Sequence, residues 1–322
     1  MTQRDRSLAL AAALTTVVLW SSAFVGVRVA GEELSPGPLT LARLLVGALV
    51  LGVVVAARRE ALPPRRDVPR LVLCGLLWFG AYNVLLNAAE QRVDAGTAAM
   101  LVNVGPVLIA VLAGVLLREG FPRALVVGCA IAFIGAIVIG LATRGQSVDA
   151  GLGAALCIGA AAAYAGAVVA QKPLLERTSA LQVTFLACVT GAVACLPFAP
   201  ALVREAGHAS AGTFAWTAYI GVFSTAVGFT TWAYALQRTT AGKLGATTYL
   251  VPPLAILQGW LLLGEAPPTL AFAGGVLCLA GVAVTRGARL PRRRAARGVA
   301  AWRPVSGVGA PTGTPPARWS DR

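Results

Sequence analysis

Charged and catalytic side chains are scarce in this sequence. Of its 322 residues, 12% are charged, about half of the roughly 25% that is typical of a soluble domain. The single histidine, His208, excludes a histidine metal cluster and a Ser-His-Asp set, and the absence of a P-loop sequence excludes an ATP-driven pump on this chain alone. The six cysteines lie within apolar stretches without a CxxC pair, which favours packing over metal binding or disulfides. We expect neither an enzyme nor a bound cofactor or metal.

Apolar residues make up 57% of the sequence and are gathered in ten runs. Each run is about 20 residues long, enough for a helix to cross the roughly 30 Å of hydrocarbon in a bilayer. The runs cover residues 8–30, 38–57, 71–89, 95–117, 122–142, 151–171, 180–200, 214–236, 242–263 and 268–286. Arg4 and Arg6 precede the first run, as in a signal peptide, but its length and the lack of a small-x-small cleavage site favour a first span. The pattern predicts an all-α membrane protein with ten transmembrane helices.

The basic residues predict how the chain lies in the membrane. Most of the 27 lysines and arginines fall in loops that a ten-span chain places on one side, whereas the opposite loops hold only Arg92, Arg144 and Arg204. Because cytoplasmic loops carry the excess of positive charge, both termini are predicted to be cytoplasmic. The net charge of +14 is then a topology signal, and it indicates contact with anionic lipid at the cytoplasmic face rather than with nucleic acid.

One pattern occurs twice along the chain. A shift of 146 positions places Pro106 on Pro252 and Glu119 on Glu265. The same shift aligns Gln91-Arg92 with Gln237-Arg238, Ala95-Gly96 with Ala241-Gly242, Pro122 with Pro268, Gly128 with Gly274 and Gly135 with Gly281. Such a repeat predicts two halves of five spans, residues 1–144 and 145–289. Because five is odd, the second half is inverted, as in secondary transporters. Residues 290–322 are predicted to be a disordered basic cytoplasmic tail.

Polar and aromatic side chains inside the spans are candidates for a substrate pathway, because buried amides and hydroxyls need partners. They lie in spans 1, 3, 4, 6, 8 and 9 and are Trp20, Ser22, Tyr82, Asn83, Asn87, Asn103, Tyr164, Thr231, Trp232, Thr248, Tyr249 and Gln258. Arg43 in span 2 joins them, because an arginine inside a span is costly and marks a function. It binds a carboxylate or phosphate, forms a structural pair, or snorkels to the nearby interface, and these alternatives stay open.

Prolines lie near the middle of spans 4 and 9. They are Pro106, Pro252 and Pro253. Proline inside a helix removes a backbone hydrogen bond and bends the helix, which frees carbonyls that must face protein or water. Their equivalent places in the two halves favour a kink or hinge that shapes a cavity over a bend that serves packing alone.

Carboxylates lie only at the ends of the spans. We expect a structural role for Glu119 and Glu265, either pairing with a neighbouring arginine or capping the helix that starts at Pro122 or Pro268. Ion-driven carriers usually place a carboxylate near the substrate site. The absence of such a carboxylate from the middle of the predicted spans favours facilitated transport, exchange, or proton coupling through a carboxylate at a span end.

The sequence resembles the EamA-like branch of the drug/metabolite transporter superfamily over about residues 8–286. The resemblance rests on the Trp-Ser-Ser-Ala-Phe segment that begins at Trp20, on Pro36 or Pro38 followed by Arg43, and on the doubled proline, glutamate and glycine pattern. The family usually has glycine where this chain has Ser21. The resemblance implies a ten-helix inner-membrane carrier with a central cavity between its halves, used mainly to export amino acids, related metabolites or toxic compounds. Trp20, Arg43, Pro106 and Pro252 match its pattern positions.

These observations predict a secondary transporter of the bacterial cytoplasmic membrane that exports small organic solutes by alternating access. An uptake carrier or facilitator of the same fold is one alternative, and a channel is another. A non-transporting membrane scaffold is an alternative of a different class, but it would not require inverted halves or paired prolines. The expected partners are a small-molecule substrate and the lipid bilayer, and a homodimer is a further candidate assembly.

Overall fold

Backbone groups inside a bilayer have no water to bond, so spanning segments fold as helices that satisfy these groups internally. In the computed structural model every secondary-structure element of the described residues is helical. The structure describes residues 3–60, 62–92, 101–142, 150–264 and 269–287, which all belong to one compact unit. The predicted tail, residues 290–322, lies outside these ranges.

The helices of the first half follow its apolar runs. Pro36 starts the second helix, where its fixed φ angle suits a first turn. That helix ends before Arg59, whose φ of 50° is left-handed. The elements are α1 (Gln3–Ala30), α2 (Pro36–Arg58), a 3-10 turn (Arg65–Asp67), α3 (Val68–Cys74), the first π segment (Gly75–Tyr82), α4 (Asn83–Glu90), α5 (Gly105–Leu116) and α6 (Arg123–Ala142).

Three helices of the second half start at hydroxyl side chains. The oxygens of Ser179, Ser210 and Thr240 each accept a hydrogen bond from the backbone N–H three residues further on, which satisfies a donor that a helix start leaves open. The elements are α7 (Ala150–Leu174), α8 (Ala180–Ala194), a 3-10 turn (Leu196–Phe198), α9 (Ala199–Ala206), α10 (Ala211–Tyr219), the second π segment (Ile220–Gly228), α11 (Phe229–Arg238), α12 (Ala241–Thr247), a 3-10 turn (Thr248–Leu250), α13 (Val251–Leu263) and α14 (Thr269–Gly287).

Some predicted runs are not single straight helices, and the run over 180–200 is one of them. The run over 180–200 is interrupted: α8 ends at Ala194, and the chain bends by 49° before the next helical residues. Pro197 follows this break and has no N–H to continue the ladder. Four continuous helices in the described ranges are long and apolar enough to cross a membrane, namely Gln3–Ala30, Pro36–Arg58, Arg65–Ala89 and Gly151–Leu174.

The two π segments occupy equivalent places in the two halves. The 146-position shift takes the first π segment onto residues 221–228, which lie within the second. Both pack against a helix of the other half through an early glycine. An added Cβ at Gly75 would lie 2.7 Å from the Ala187 carbonyl oxygen, and one at Gly221 would lie 3.0 Å from the Arg43 carbonyl oxygen. Wide π turns are frequent at functional sites, and here they lie where the halves meet.

Helices α6 and α14 pack backbone to backbone through paired glycines. An added Cβ at Gly128 would lie 2.6 Å from the Gly281 carbonyl oxygen. One at Gly135 would lie 2.7 Å from the Gly274 carbonyl oxygen. Later residues of α6 therefore meet earlier residues of α14, and the two helices run antiparallel. The 146-position shift exchanges the two contacts, which gives this helix pair a local two-fold symmetry.

Serine–glutamate contacts join the halves at both ends of the bundle. Ser35, just before α2, donates its hydroxyl to Glu205 Oε1 at 2.7 Å and its backbone N–H to Oε2 at 2.8 Å. Ser179, just before α8, donates its hydroxyl to Glu60 Oε2 at 2.8 Å. Ser35 precedes α2 and Glu60 follows it, so the contacts lie at the two ends of that helix. At the same end as Ser35, the Ser210 backbone N–H also donates to Glu33 Oε2 at 2.6 Å.

Candidate functional site

Aromatic rings from both halves meet in the middle of the helix bundle. The indoles of Trp20 in α1 and Trp232 in α11 stack with centroids 5.0 Å apart and an interplanar angle of 27°. Trp78 of the first π segment meets Trp232 edge-on at 5.7 Å and an angle of 85°. These geometries are favourable for aromatic pairs. The central aromatic cluster consists of Trp20, Trp78, Phe79, Tyr82, Tyr164, Phe229 and Trp232.

Several buried donors in and beside this cluster have no acceptor within the described part of the chain. They are the indole nitrogens of Trp20 and Trp232 and the hydroxyl of Tyr249. Tyr249 belongs to a neighbouring apolar cluster that Trp20 also contacts. An unsatisfied buried donor costs about 1–3 kcal/mol. Such groups therefore favour a ligand that brings acceptor oxygens and an apolar body to the same place.

Arg43 is buried where α2 packs on the second π segment. Its side chain is 6% exposed, and its guanidinium donates from Nε to Thr225 Oγ1 at 3.2 Å and from Nη2 to Ser224 Oγ at 3.4 Å. Both acceptors belong to the other half of the chain. The structure thus places this arginine in a contact between the halves.

The two predicted asparagines of the third span bind different groups. Asn83 donates its amide to the carbonyls of Trp78 at 2.9 Å and Phe79 at 3.1 Å, both in the first π segment. Asn87 donates to Thr40 Oγ1 at 3.0 Å. Asn83 therefore holds the π segment, and Asn87 joins the third span to α2.

The other predicted polar residues are spread around the central aromatic cluster. Thr231 and Thr16 share a hydrogen bond of 2.8 Å, and Ser22 shares one of 2.8 Å with the Tyr219 hydroxyl. Both bonds join α1 to the second half. Tyr164 lies beside Thr248, Asn103 is buried, and Gln258 donates to the Val18 carbonyl at 3.5 Å.

The prolines lie at helix starts rather than inside continuous helices. Pro106 is in the first turn of α5, directly after a turn at residues 103–104. Pro252 is in the first turn of α13, after the 3-10 turn Thr248–Leu250, and Pro253 follows it. The missing N–H of proline costs nothing there. The α-helix of each span is therefore interrupted just before its proline.

Glu119 caps a helix of the other half instead of the helix that follows it. Its Oε1 accepts the Ala241 N–H at 2.8 Å, and its Oε2 accepts the Gly242 N–H at 3.1 Å. The sequence predicts a neighbouring arginine or the helix that starts at Pro122 as its partner, and the structure shows a helix start of the other half instead. Its repeat equivalent, Glu265, lies outside the described residues.

Comparison with known proteins places the chain in a family. The EamA-like transporter family matches residues 7–141 and, a second time, residues 151–287. The chain belongs to this family. The resemblance predicted from the sequence is thereby confirmed, together with two EamA halves in an all-helical, multi-pass membrane protein. The family is one of transporters and not of enzymes, and its members include inner membrane transporters.

Named relatives of this EamA-like transporter match it over most of their length. It is 38% identical over 290 residues to a probable terminal-alkyne amino-acid exporter of Streptantibioticus cattleyicolor, with 90% of this chain and 97% of the relative covered. It is 27% identical to a probable amino-acid metabolite efflux pump of Salmonella typhimurium, with 88% and 94% covered. A crystal structure that is 20% identical has a TM-score of 0.73 and shows the same fold, with 88% and 98% covered.

Sequence reasoning missed three aromatic residues in the centre of this EamA-like transporter. Trp78, Phe79 and Phe229 are all at most 3% exposed. In the sequence, nothing distinguishes them from the other apolar residues of their spans. Trp78 lies one helical turn before Tyr82, whose hydroxyl makes it a candidate in the sequence. Spacing of aromatic residues along one helix face was the available signal.

Proposed function

We propose that this EamA-like transporter exports small organic solutes by alternating access. Its ten helices form two inverted halves, residues 1–144 and 145–289, with both termini and the tail of residues 290–322 in the cytoplasm. The antiparallel α6–α14 pair and the serine–glutamate contacts at both ends support the inversion. Inverted halves suit alternating access because exchanging their conformations gives two states of similar energy.

The proposed substrate class is inferred mainly from the central aromatic cluster. Both halves build it, and the unpartnered donors of Trp20, Trp232 and Tyr249 lie in or beside it. Indole and phenol groups donate hydrogen bonds to carboxylate oxygens, while their rings pack against apolar groups. A solute with a carboxylate and an apolar or unsaturated side chain fits this chemistry. Two relatives that are named amino-acid or amino-acid metabolite exporters support the same class.

Coupling to an ion gradient has little support among the described residues. Glu60, Glu119 and Glu205 are bound at the ends of the bundle. We therefore propose facilitated export or exchange, with proton coupling through a boundary carboxylate as the alternative. A proton gradient imposed on proteoliposomes distinguishes these, because only the coupled carrier concentrates its substrate.

The loop between α2 and α3 supports a contact with anionic lipid. Its acids are bound internally, Glu60 by Ser179 and Asp67 by Arg177 at 2.6 Å. Leu62 is 83% exposed, as an anchor in the bilayer interface would be. The arginines that these bonds leave exposed are Arg58, Arg59, Arg65, Arg66 and Arg70. Native mass spectrometry tests the proposal. Substitution of Arg65, Arg66 and Arg70 by Gln should abolish the retention of phosphatidylglycerol by the protein, and unchanged retention would refute the contact.

Efflux from loaded cells tests the proposed function. Cells that express the chain, or an empty vector, are loaded with amino acids, nucleosides and cationic dyes. Selective, saturable loss of carboxylate-bearing solutes with apolar side chains would support the proposal. Efflux of dyes alone would indicate a drug exporter, uptake alone would indicate an importing carrier, and no flux would favour a membrane scaffold. Mass photometry in detergent tests whether the chain is a homodimer.

A further inference from the structure

The junction between α11 and α12, at Thr239 and Thr240, brings two helix ends together. The last carbonyls of α11 and the first N–H groups of α12 have no partners within their own helices. The end of α11 carries a partial negative charge and the start of α12 a partial positive charge. Each end is bound by a side chain of the opposite charge.

The start of α12 is bound by a carboxylate of the first half. Glu119 accepts the N–H groups of Ala241 at 2.8 Å and Gly242 at 3.1 Å. The hydroxyl of Thr240 accepts the next one, from Lys243, at 3.4 Å. Two of the three bonds at this helix start therefore cross between the halves.

The end of α11 is bound by an ammonium group. Lys172 in the last turn of α7 donates to the Thr239 carbonyl oxygen at 2.6 Å and also to the Leu236 carbonyl oxygen. Glu119 and Glu176 are the carboxylates whose charges act on this ammonium. Lys172 and Glu119 thus hold the two sides of one junction and attract each other.

Several contacts place this junction at the end of the bundle that is predicted to be cytoplasmic. Gln237, beside the junction, donates to the Leu175 carbonyl at 2.7 Å. Two residues after Leu175, Arg177 binds Asp67 in the arginine-rich loop. The junction therefore lies at the same end as that loop.

Small residues form the contact behind Glu119. An added Cβ at Gly242 would lie 3.7 Å from the Cα of Ala110, and one at Gly245 would lie 3.1 Å from Ile109. In lipid, such a face is held by van der Waals packing without a hydrophobic driving force. The hydrogen bonds of Glu119 are therefore a substantial part of what keeps α12 on α5.

We propose that Glu119 and Lys172 form a latch between the halves that keeps this end of the transporter closed and that releases when this end opens to take up substrate. The proposal rests on the proposed alternating access, because such a carrier must break contacts between its halves at one end in every cycle. Glu119 makes the latch, and Lys172 positions the junction and the carboxylate.

A cysteine reporter tests the latch without knowledge of the substrate. Ile109 is 0% exposed and faces α12, so Ile109→Cys reacts with maleimide only when α12 leaves α5. The six native cysteines, all buried, are replaced beforehand. Glu119→Gln should raise the labelling rate about tenfold, the size expected for losing a hydrogen bond to a charged group. Lys172→Gln should raise it in the same direction, whereas Glu176→Gln, which removes a nearby exposed charge, should not.

A second variant tests the same hydrogen bond in case Glu119→Gln fails to fold. Ala241→Pro removes the N–H that Glu119 accepts, at a first helical position that tolerates proline. Thr240 before it already has the extended conformation that proline requires, with φ −74° and ψ 147°. This variant should label as Glu119→Gln does.

Two outcomes would overturn the latch. One is wild-type labelling in both variants. The other is faster hydrogen exchange at the α12 amides while Ile109→Cys stays unreactive, which would make Glu119 a helix cap only. Labelling is independent of transport. A response to the variants without any measurable flux would therefore refute the proposed function and leave the latch standing.

Discussion

Arg43 joins the two halves at the scale of a single side chain. The sequence alone allows three roles for Arg43: binding an anionic group of the substrate, forming a structural pair, or snorkelling to the interface. A snorkelling arginine would keep its head group in water. Instead, its side chain is 6% exposed and bonds with the second π segment. A direct contact with substrate stays a prediction, and a positioning role for the π segment accounts for the bonds that are present.

Substitution of Arg43 should separate its charge from its geometry. Arg43→Ala should lower the melting temperature and reduce efflux at least about tenfold, because it leaves buried hydroxyls and a cavity behind. Arg43→Lys keeps the charge but loses the planar pair of donors, so its efflux should be intermediate. Efflux and melting in detergent are measured beside Arg28→Lys, which lies exposed at the end of α1. Wild-type efflux in Arg43→Ala would refute both roles.

The indole N–H of Trp232 offers a second test at this scale. Trp232→Phe keeps an aromatic ring but removes a buried donor that has no acceptor in the described residues. If that donor binds the substrate, the apparent KM should rise about 5- to 10-fold with little loss of stability. Trp260→Phe is the matched control, because Trp260 is 44% exposed. Equal KM values in the two variants would contradict a substrate contact at Trp232.

The glycine contacts of α6 and α14 make a prediction at the scale of elements. Gly135→Ala should destabilise the protein by about 1–3 kcal/mol, because its Cβ would lie 2.7 Å from the Gly274 carbonyl oxygen and the Cys278 nitrogen. Gly151→Ala meets no atom within 4 Å and should be neutral or stabilising by up to about 1 kcal/mol. Thermal unfolding in detergent compares them. Destabilisation of equal size in both variants would contradict close packing at Gly135.

Elements of this protein differ in how well the sequence predicts them. Apolar runs revealed the helices, because lipid selects continuous apolar segments, and a fixed offset revealed the two EamA halves. The π segments gave no such signal, since one extra residue per turn leaves an apolar run apolar. Both segments pack closely against the other half, at Gly75 and Gly221, and such contacts are not visible in a sequence. For the same reason the partners of Glu119 were not predictable: they lie 122 and 123 positions away in the chain.

At the scale of the whole molecule, the repeat and the structure point to one local two-fold axis. Cys278 donates its thiol to the Ala132 carbonyl at 3.5 Å, a separation of 146 positions. Each residue is therefore the repeat equivalent of the other, and the axis passes between them. Antiparallel packing at such an axis is what an inverted repeat requires.

Reporter fusions test the predicted orientation of the whole chain. Green fluorescent protein fused after residue 289 should fluoresce, because it folds in the cytoplasm, and alkaline phosphatase at the same position should be inactive. Fusions at residues 143–149, which the ten-span topology predicts to lie outside the cytoplasm, should show the reverse. The same reporter active at both positions would contradict five spans per half and, with them, the inversion.

Counterflow in proteoliposomes tests the central claim most directly. Vesicles that contain the purified chain are loaded with an unlabelled amino acid whose side chain is apolar, and are then diluted into a trace of the labelled compound. An alternating-access carrier exchanges one for the other, so the label should accumulate transiently above its equilibrium level and saturate with concentration. A channel would only equilibrate the label, and a scaffold would not admit it. Either of these results, obtained with vesicles in which the protein is folded, would contradict the account.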